Sequence, residues 1–96
     1  MSRTLESEVM AENDIESILD VEDPWAVMVW NDDVNTFDHV IKALIEILNH
    51  SRPRAEQLAL RVHNTGKAVV AVRPKEEAVT AARRFQDRSI WATVER

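Results

Sequence analysis

Two adjacent carboxylates, Asp32 and Asp33, follow the apolar run Ala26, Val27, Met28, Val29 and precede a helical pattern that opens near Phe37. Acids at that place have two uses. They cap the turn and offset the helix dipole, or they hold a positive charge. Asn31 adds an amide beside them, and His63 stands late in a second helical pattern, followed by Asn64. If the two helices run antiparallel through the short connection 49–52, His63 returns toward the start of the first. Asn31, Asp32, Asp33 and His63 then share one acceptor-rich neighbourhood. Such a group can receive a cation, ligate a divalent metal or move a proton. The metal reading lacks a second histidine at i, i+4 and any H-E-x-x-H or D-x-D-x-D-G pattern. The catalytic reading lacks an evident nucleophile and a Gly-rich phosphate loop. The chain has two further histidines, His39 and His50, so a histidine by itself is not a sign of function.

The elements that must position these residues follow from periodicity. The continuous run 25–30 reads as a strand covered by helices. Phe37, Val40, Ile41, Leu44, Ile47 and Leu48 fall at helical spacing, with Asn35 or Thr36 as the N-cap. A second helix follows Ser51, tolerates Pro53 in its first turn and carries Ala55, Leu58, Ala59 and Val62 on one face. Gly66, the single glycine of the chain, suits a left-handed C-cap. Strands at 68–72 and 90–94 flank a third helix that Pro74 opens and that presents Ala78, Ala82 and Phe85. The expected fold is α+β, order βααβαβ: a three-stranded antiparallel sheet with three helices on one face. Phe37, Val40, Ala59 and Val62 flank the acids. Helices diverging from a polar cluster leave a pocket that is polar at its mouth and apolar inside, suited to a cation beside an apolar side chain.

At 96 residues, 45 % of them hydrophobic, the chain has material for one modest core. It contains no cysteine, so neither a disulfide framework nor a thiolate metal site is available. No apolar run approaches the roughly 20 residues that span a bilayer, and the acidic N-terminus is unlike a signal peptide. A soluble, cytoplasmic protein without membrane contact is expected. Eight acids precede Pro24 against the single base Arg3, whereas eleven bases and nine acids follow. Residues 1–23 read as a disordered acidic extension, with Ile15, Ile18 and Leu19 able to form a helical turn on a partner. Residues 24–96 read as the folded domain. Nearly neutral, it offers no surface for nucleic acid.

The segment NDD after an apolar strand, an amphipathic helix, then AEQLALRVHNTGKAVV and a final WATVER together resemble the ClpS family, adaptors of the ATP-dependent Clp protease. The resemblance runs in order through residues 23–96. It implies a non-enzymatic adaptor without cofactor. Such an adaptor binds the N-terminal residue of N-degron substrates and delivers them to a Clp AAA+ unfoldase of the ClpA or ClpC type. Residue by residue, it implies that Asn31, Asp32 and His63 hydrogen-bond the free α-amino group and that Asp33 supplies charge and part of the pocket wall. Asn35, Phe37, Val40, Ala59, Val62 and Ile90 would line the pocket for a first residue such as Leu, Phe, Tyr or Trp. Glu76 matches a position of the family's unfoldase contact, and the tail would engage the unfoldase during hand-off.

The α-amino group fits these residues chemically. With a pKa of about 8 it is mostly cationic at neutral pH and has three donors. A ring nitrogen of His63 accepts only when unprotonated, so acid should weaken binding. Affinity on the order of micromolar is expected once ordering costs offset the contacts. The chain departs from the family's usual Thr at Asn35, Met at Phe37, Met at Ala59 and Lys at Ala81. Two other readings compete: an interaction module that docks a helix or strand without reading a free N-terminus, and a metal-assisted hydrolase using Asp32, Asp33 and His63.

Overall fold

The computed structural model describes residues 23–96. The expectation for the acidic extension falls outside the described residues, apart from Asp23 at its end. There the carboxylate accepts from Trp25 Nε1 at 3.3 Å and pairs with Arg96 at 3.0 Å. The element order is β1 (Pro24–Trp30), α1 (Phe37–Leu48), α2 (Arg52–Thr65), β2 (Lys67–Pro74), α3 (Lys75–Asp87) and β3 (Ala92–Glu95). The strands form one antiparallel sheet in the order β2-β1-β3, and the helices layer on it as the pattern predicts.

β1 is the central strand, paired on both sides and buried at its inward residues. Val27 and Val29, with Leu44 of α1, Leu58 of α2, Phe85 of α3 and Ile90, are the largest of the fully buried side chains. Alanines do the rest. Ala55 and Ala59 on α2 and Ala78, Ala81 and Ala82 on α3 are buried, and side chains that small let backbones approach closely and keep the packing dense. Between Val27 and Met28 the register with β2 shifts, so that Val70 is an extra residue. Val70 and its neighbour Ala71 are both buried in the core, as a β-bulge permits and strict alternation does not. β2 runs longer than the apolar run 68–72 suggests, because Lys67, Arg73 and Pro74 also pair with β1.

Helix ends follow local chemistry. Thr36 caps α1, its Oγ1 accepting from His39 N–H at 3.1 Å. Ser51 caps α2, and Gly66 ends it at φ 93° with its N–H on the Val62 carbonyl. The end of α3 is less obvious. Ser89 takes φ 63°, its N–H reaching the Gln86 carbonyl at 2.9 Å while the Ile90 N–H reaches the Phe85 carbonyl at 3.0 Å. This is a Schellman motif in which serine occupies the position usually given to glycine, and buried Ile90 packs beside buried Phe85 as the motif favours. It keeps Ile90 in the turn, so β3 begins at Ala92 rather than at residue 90.

His50, in the α1–α2 connection, places Nε2 2.7 Å from the carbonyl of Val70, so the ring donates there and occupies part of the free edge of β2. Burial pushes its imidazole below the ordinary histidine value of 6.5, against the opposing pull of that carbonyl. The folded value is thus depressed. Its contribution is complete above the unfolded value and is lost as pH falls through the folded one. Thermal midpoints are therefore expected to drop as pH is lowered from 7 to 5. His50→Gln, which keeps a donor but does not titrate, should flatten that drop; an unchanged profile contradicts the assignment.

Candidate functional site

β1 leaves the sheet between two backbone clamps. Trp30 N–H donates to the Trp91 carbonyl at 2.9 Å, and Asn31 N–H to the Gly66 carbonyl at 2.8 Å. The second clamp ties the start of the acidic loop to the end of α2. Because His63 lies three residues before Gly66, this clamp brings its ring to the same end of the molecule as Asn31.

The loop is then folded around one carboxylate. Asp32 Oδ1 accepts from the Val34 and Asn35 N–H groups, each at 2.8 Å, and Oδ2 accepts from the Asn35 side-chain amide at 2.9 Å. Asn35 Nδ2 also donates to the Ser89 carbonyl at 2.7 Å. Beside it, His39 Nε2 meets the Arg88 carbonyl at 2.9 Å, and Arg88 pairs with Glu46 at 2.6 Å. The left-handed Ser89 turn thus aims two carbonyls at the start of α1. A carboxylate with three donors is well stabilised as an anion. The Asn35 N–H foremost, then its side-chain amide, the Val34 N–H and nearby His39 hold the Asp32 carboxyl below its ordinary value of 3.8, outweighing the opposing effect of burial, which is second only to the Asn35 N–H. Its support of the loop is present above that ordinary value and is lost as pH falls through the lower folded one.

A cavity of ≈ 280 Å³ opens behind this loop, lined by Asn31, Asp32, Asp33, Asn35, Thr36, Phe37, Val40, Ala59, Val62 and His63. Its inner wall is apolar. Ala59 and Val62 are 2 % and 4 % exposed, whereas Phe37 is 43 % exposed at the rim. The polar residues gather at the mouth. Among the described residues, the side chains of Asn31, Asp33 and His63 make no hydrogen bond or ion pair, so their acceptors are available. Asp32 differs: a carboxylate has about four lone-pair sites, and the turn uses three of them.

Of the residues picked from sequence, Asn31, Asp32, Asp33, Asn35, Phe37, Val40, Ala59, Val62 and His63 therefore share one cavity. Ile90 does not line it. It borders a neighbouring depression with Asp32, Val34, Gln86, Ser89 and Trp91, because the Schellman turn holds it against Phe85. Glu76 is elsewhere, in the first turn of α3, on a cleft with Ile47, Leu48, Asn49, Arg73 and Ala81 among its walls. That cleft meets the C-terminal end of α1 and the cavity its N-terminal end, about 16 Å apart along a helix rising about 1.5 Å per residue. Arg88 and Ser89 were not anticipated: their part is played by two backbone carbonyls, which residue type does not advertise; of the two N-cap candidates, Asn35 and Thr36, Thr36 is the cap. Asp32, Asp33 and His63 share the cavity mouth, yet among the described residues there is no cluster of three or more His, Cys, Asp or Glu groups able to hold a metal. None of the described helices is long and apolar enough to cross a membrane.

The fold and the cavity define a small binding module rather than a large active-site cleft, and the comparisons place it. The model of the family described as ATP-dependent Clp protease adaptor protein ClpS matches residues 20–92. The adapter protein ClpS of Nocardia farcinica is 38 % identical over 80 residues, covering 82 % of this chain and 76 % of that protein. That of Rhodococcus opacus is 31 % identical over 87 residues, covering 90 % of this chain and 78 % of that protein. Agrobacterium tumefaciens ClpS2, solved bound to L-phenylalaninamide, superposes with a TM-score of 0.73 at 25 % identity, covering 76 % of this chain and 95 % of its own. The chain belongs to the ClpS family, adaptors of the ATP-dependent Clp protease.

Asn35 supplies two amide hydrogens to the loop, where the hydroxyl of the threonine that the resemblance leads one to expect would supply one. Asn35→Ala is expected to lower unfolding free energy by about 1 to 2 kcal/mol, since it leaves Asp32 and the Ser89 carbonyl each short of a partner. Asn35→Thr should lose less. Urea titration of the three proteins checks the order, and equal midpoints contradict it.

Proposed function

We propose that the cavity receives the N-terminal residue of a substrate protein, α-amino group at the mouth and side chain inside, and that the chain hands this protein to a Clp unfoldase without chemistry of its own. The observation that carries the reading is the pairing, within one cavity, of free acceptors on Asn31, Asp33 and His63 with an apolar inner wall of Val40, Ala59 and Val62. A primary ammonium group with three donors matches the first set. A single bulky apolar side chain matches the second.

Two features of the ligand of Agrobacterium ClpS2, a free amine and a benzyl side chain, are the two for which this cavity provides. The size is also suitable: a cavity of about 150 Å³ accommodates benzene, and this one measures ≈ 280 Å³. Small Ala59 deepens the inner wall while Phe37 narrows the rim, so the space is set for a long flat or branched side chain such as Phe, Tyr, Trp or Leu. In this reading Asn31, His63 and the remaining lone pair of Asp32 take the ammonium hydrogens, and Asp33 supplies charge and part of the pocket wall. Asp32 also keeps the loop in place. Bound contacts worth several kcal/mol, reduced by ordering costs, give affinity on the order of micromolar, which suits cargo that must be released.

The unfoldase contact is proposed for the α3 cleft around Glu76, with a ClpA- or ClpC-type partner, at the far end of α1 from the cargo. Ala81 offers that partner no charge, so the polar part of the contact falls to Glu76 and its neighbours on the cleft, Arg73, Glu77, Thr80 and Arg84.

Peptides beginning with Phe or Leu should bind with micromolar affinity and lose it when N-acetylated, since acetylation removes the charge and two donors. Equal affinity for the two forms contradicts the reading and leaves a general interaction module. His63→Ala should weaken the free peptide by about 2 kcal/mol with an unchanged circular dichroism spectrum. Unaltered binding removes His63 from the site.

A further inference from the structure

Asp32 lines two depressions. Besides the cavity, it borders a more open hollow of ≈ 470 Å³ whose other walls include Val34, Ser89, Ile90 and Trp91. The partition between the two is the bond from Asn35, which lines the cavity, to the carbonyl of Ser89, which lines the hollow. Two large apolar side chains on the hollow stay in water: Val34 is 84 % and Trp91 54 % exposed.

Both are held in that exposed state. The Val34 N–H is tied to Asp32 at 2.8 Å, which restrains its backbone in the turn. Trp91 stacks on Trp30 with ring centroids 4.9 Å apart and planes 18° from parallel, and the Lys67 ammonium lies 4.7 Å from the Trp30 centroid. The Trp91 ring is thereby an ordered, one-sided apolar platform, so a contact on it costs little additional ordering.

We propose that this platform reads the second residue of the bound protein and favours a bulky aliphatic or aromatic side chain there. The inference rests on the reading of the cavity given above. A chain anchored by its α-amino group at the mouth must carry its second Cα about 3.8 Å onward, past the acidic loop. In an extended chain successive side chains point to opposite sides. With the first side chain in the cavity on one side of Asp32, the second faces the other side, where Val34 and Trp91 stand. The third turns back. Position two is thus the occupant that this geometry selects, and Trp91 and Val34 act as specificity-determining residues.

Calorimetric titration of the full chain with Phe-Gly-, Phe-Leu- and Phe-Trp-initiated peptides, otherwise identical and glycine-rich, tests this. Leu or Trp at position two should tighten binding about fivefold over Gly, the scale of one added apolar or aromatic contact. Val34→Ser, at a side chain that packs on nothing, and Trp91→Ala should each shrink that ratio while leaving the Phe-Gly peptide unchanged. Because Val34→Ser keeps the Trp30–Trp91 stack, the test stands even if Trp91→Ala loses stability. A ratio of one in the parent chain, a ratio that neither variant alters, or a preference seen only at position three overturns the proposal. If that occurs while N-acetylation still abolishes binding, the cavity reading survives and only the platform falls. If acetylated peptides bind as well as free ones, both fall.

Discussion

The arrangement depends on one carboxylate whose hydrogen bonds are nearly all used at home. Asp32 gathers two backbone N–H groups and the Asn35 amide, and through Asn35 it reaches the Ser89 turn. Those bonds fold the chain between the end of β1 and the cap of α1 and tie that loop to the turn after α3. An anion surrounded by donors keeps its charge to lower pH than an ordinary carboxylate, which is useful to a site proposed to hold a cation. Turn-building and charge placement are the same interaction here. The choice between a structural and a functional Asp32, which composition and spacing leave open, is therefore not a choice the molecule has to make.

The core supplies the rigidity this loop needs without large side chains. Alanine faces on α2 and α3 bring the helices down onto the valines of β1 and β2, while the α1 face contributes Ile41, Leu44 and Leu48. One consequence is functional. With Ala59 on the inner wall, the space between α1 and α2 is deeper than a larger side chain would leave it, so the packing economy of the core and the capacity of the cavity have a common cause. Placing the Glu76 cleft at the opposite end of α1 lets the proposed cargo and unfoldase contacts act without sharing residues.

Much of this was readable from sequence, and particular residues say why. The helical spacing from Phe37 to Leu48 and the position of lone Gly66 predict α1, α2 and the antiparallel return of His63, because periodicity and a glycine C-cap are local signals. The family resemblance, carried by NDD and the segment ending HNTGKAVV, agrees with the matched family model over most of the chain. What was not readable is instructive. Ser89 adopts a glycine-like conformation at φ 63°, sustained by the Phe85–Ile90 contact, and no local signal marks a serine as left-handed. From that one turn follow the later start of β3, the placement of Ile90 outside the cavity and the two carbonyls that brace α1. The bulge at Val70 is likewise a tertiary event, in which two apolar neighbours both find the core.

On the reading we propose, the Asn31–Asn35 loop and the end of α2 together receive a free amine bearing an apolar side chain. Titrating isotope-labelled protein with L-phenylalaninamide, and separately with its N-acetyl derivative, while following backbone amide shifts tests it most directly. Saturable shifts are expected at residues 31–37 and 59–66 with the free amine, and none of comparable size with the acetylated compound. Shifts confined to the α3 cleft, or equal responses to both compounds, would contradict it.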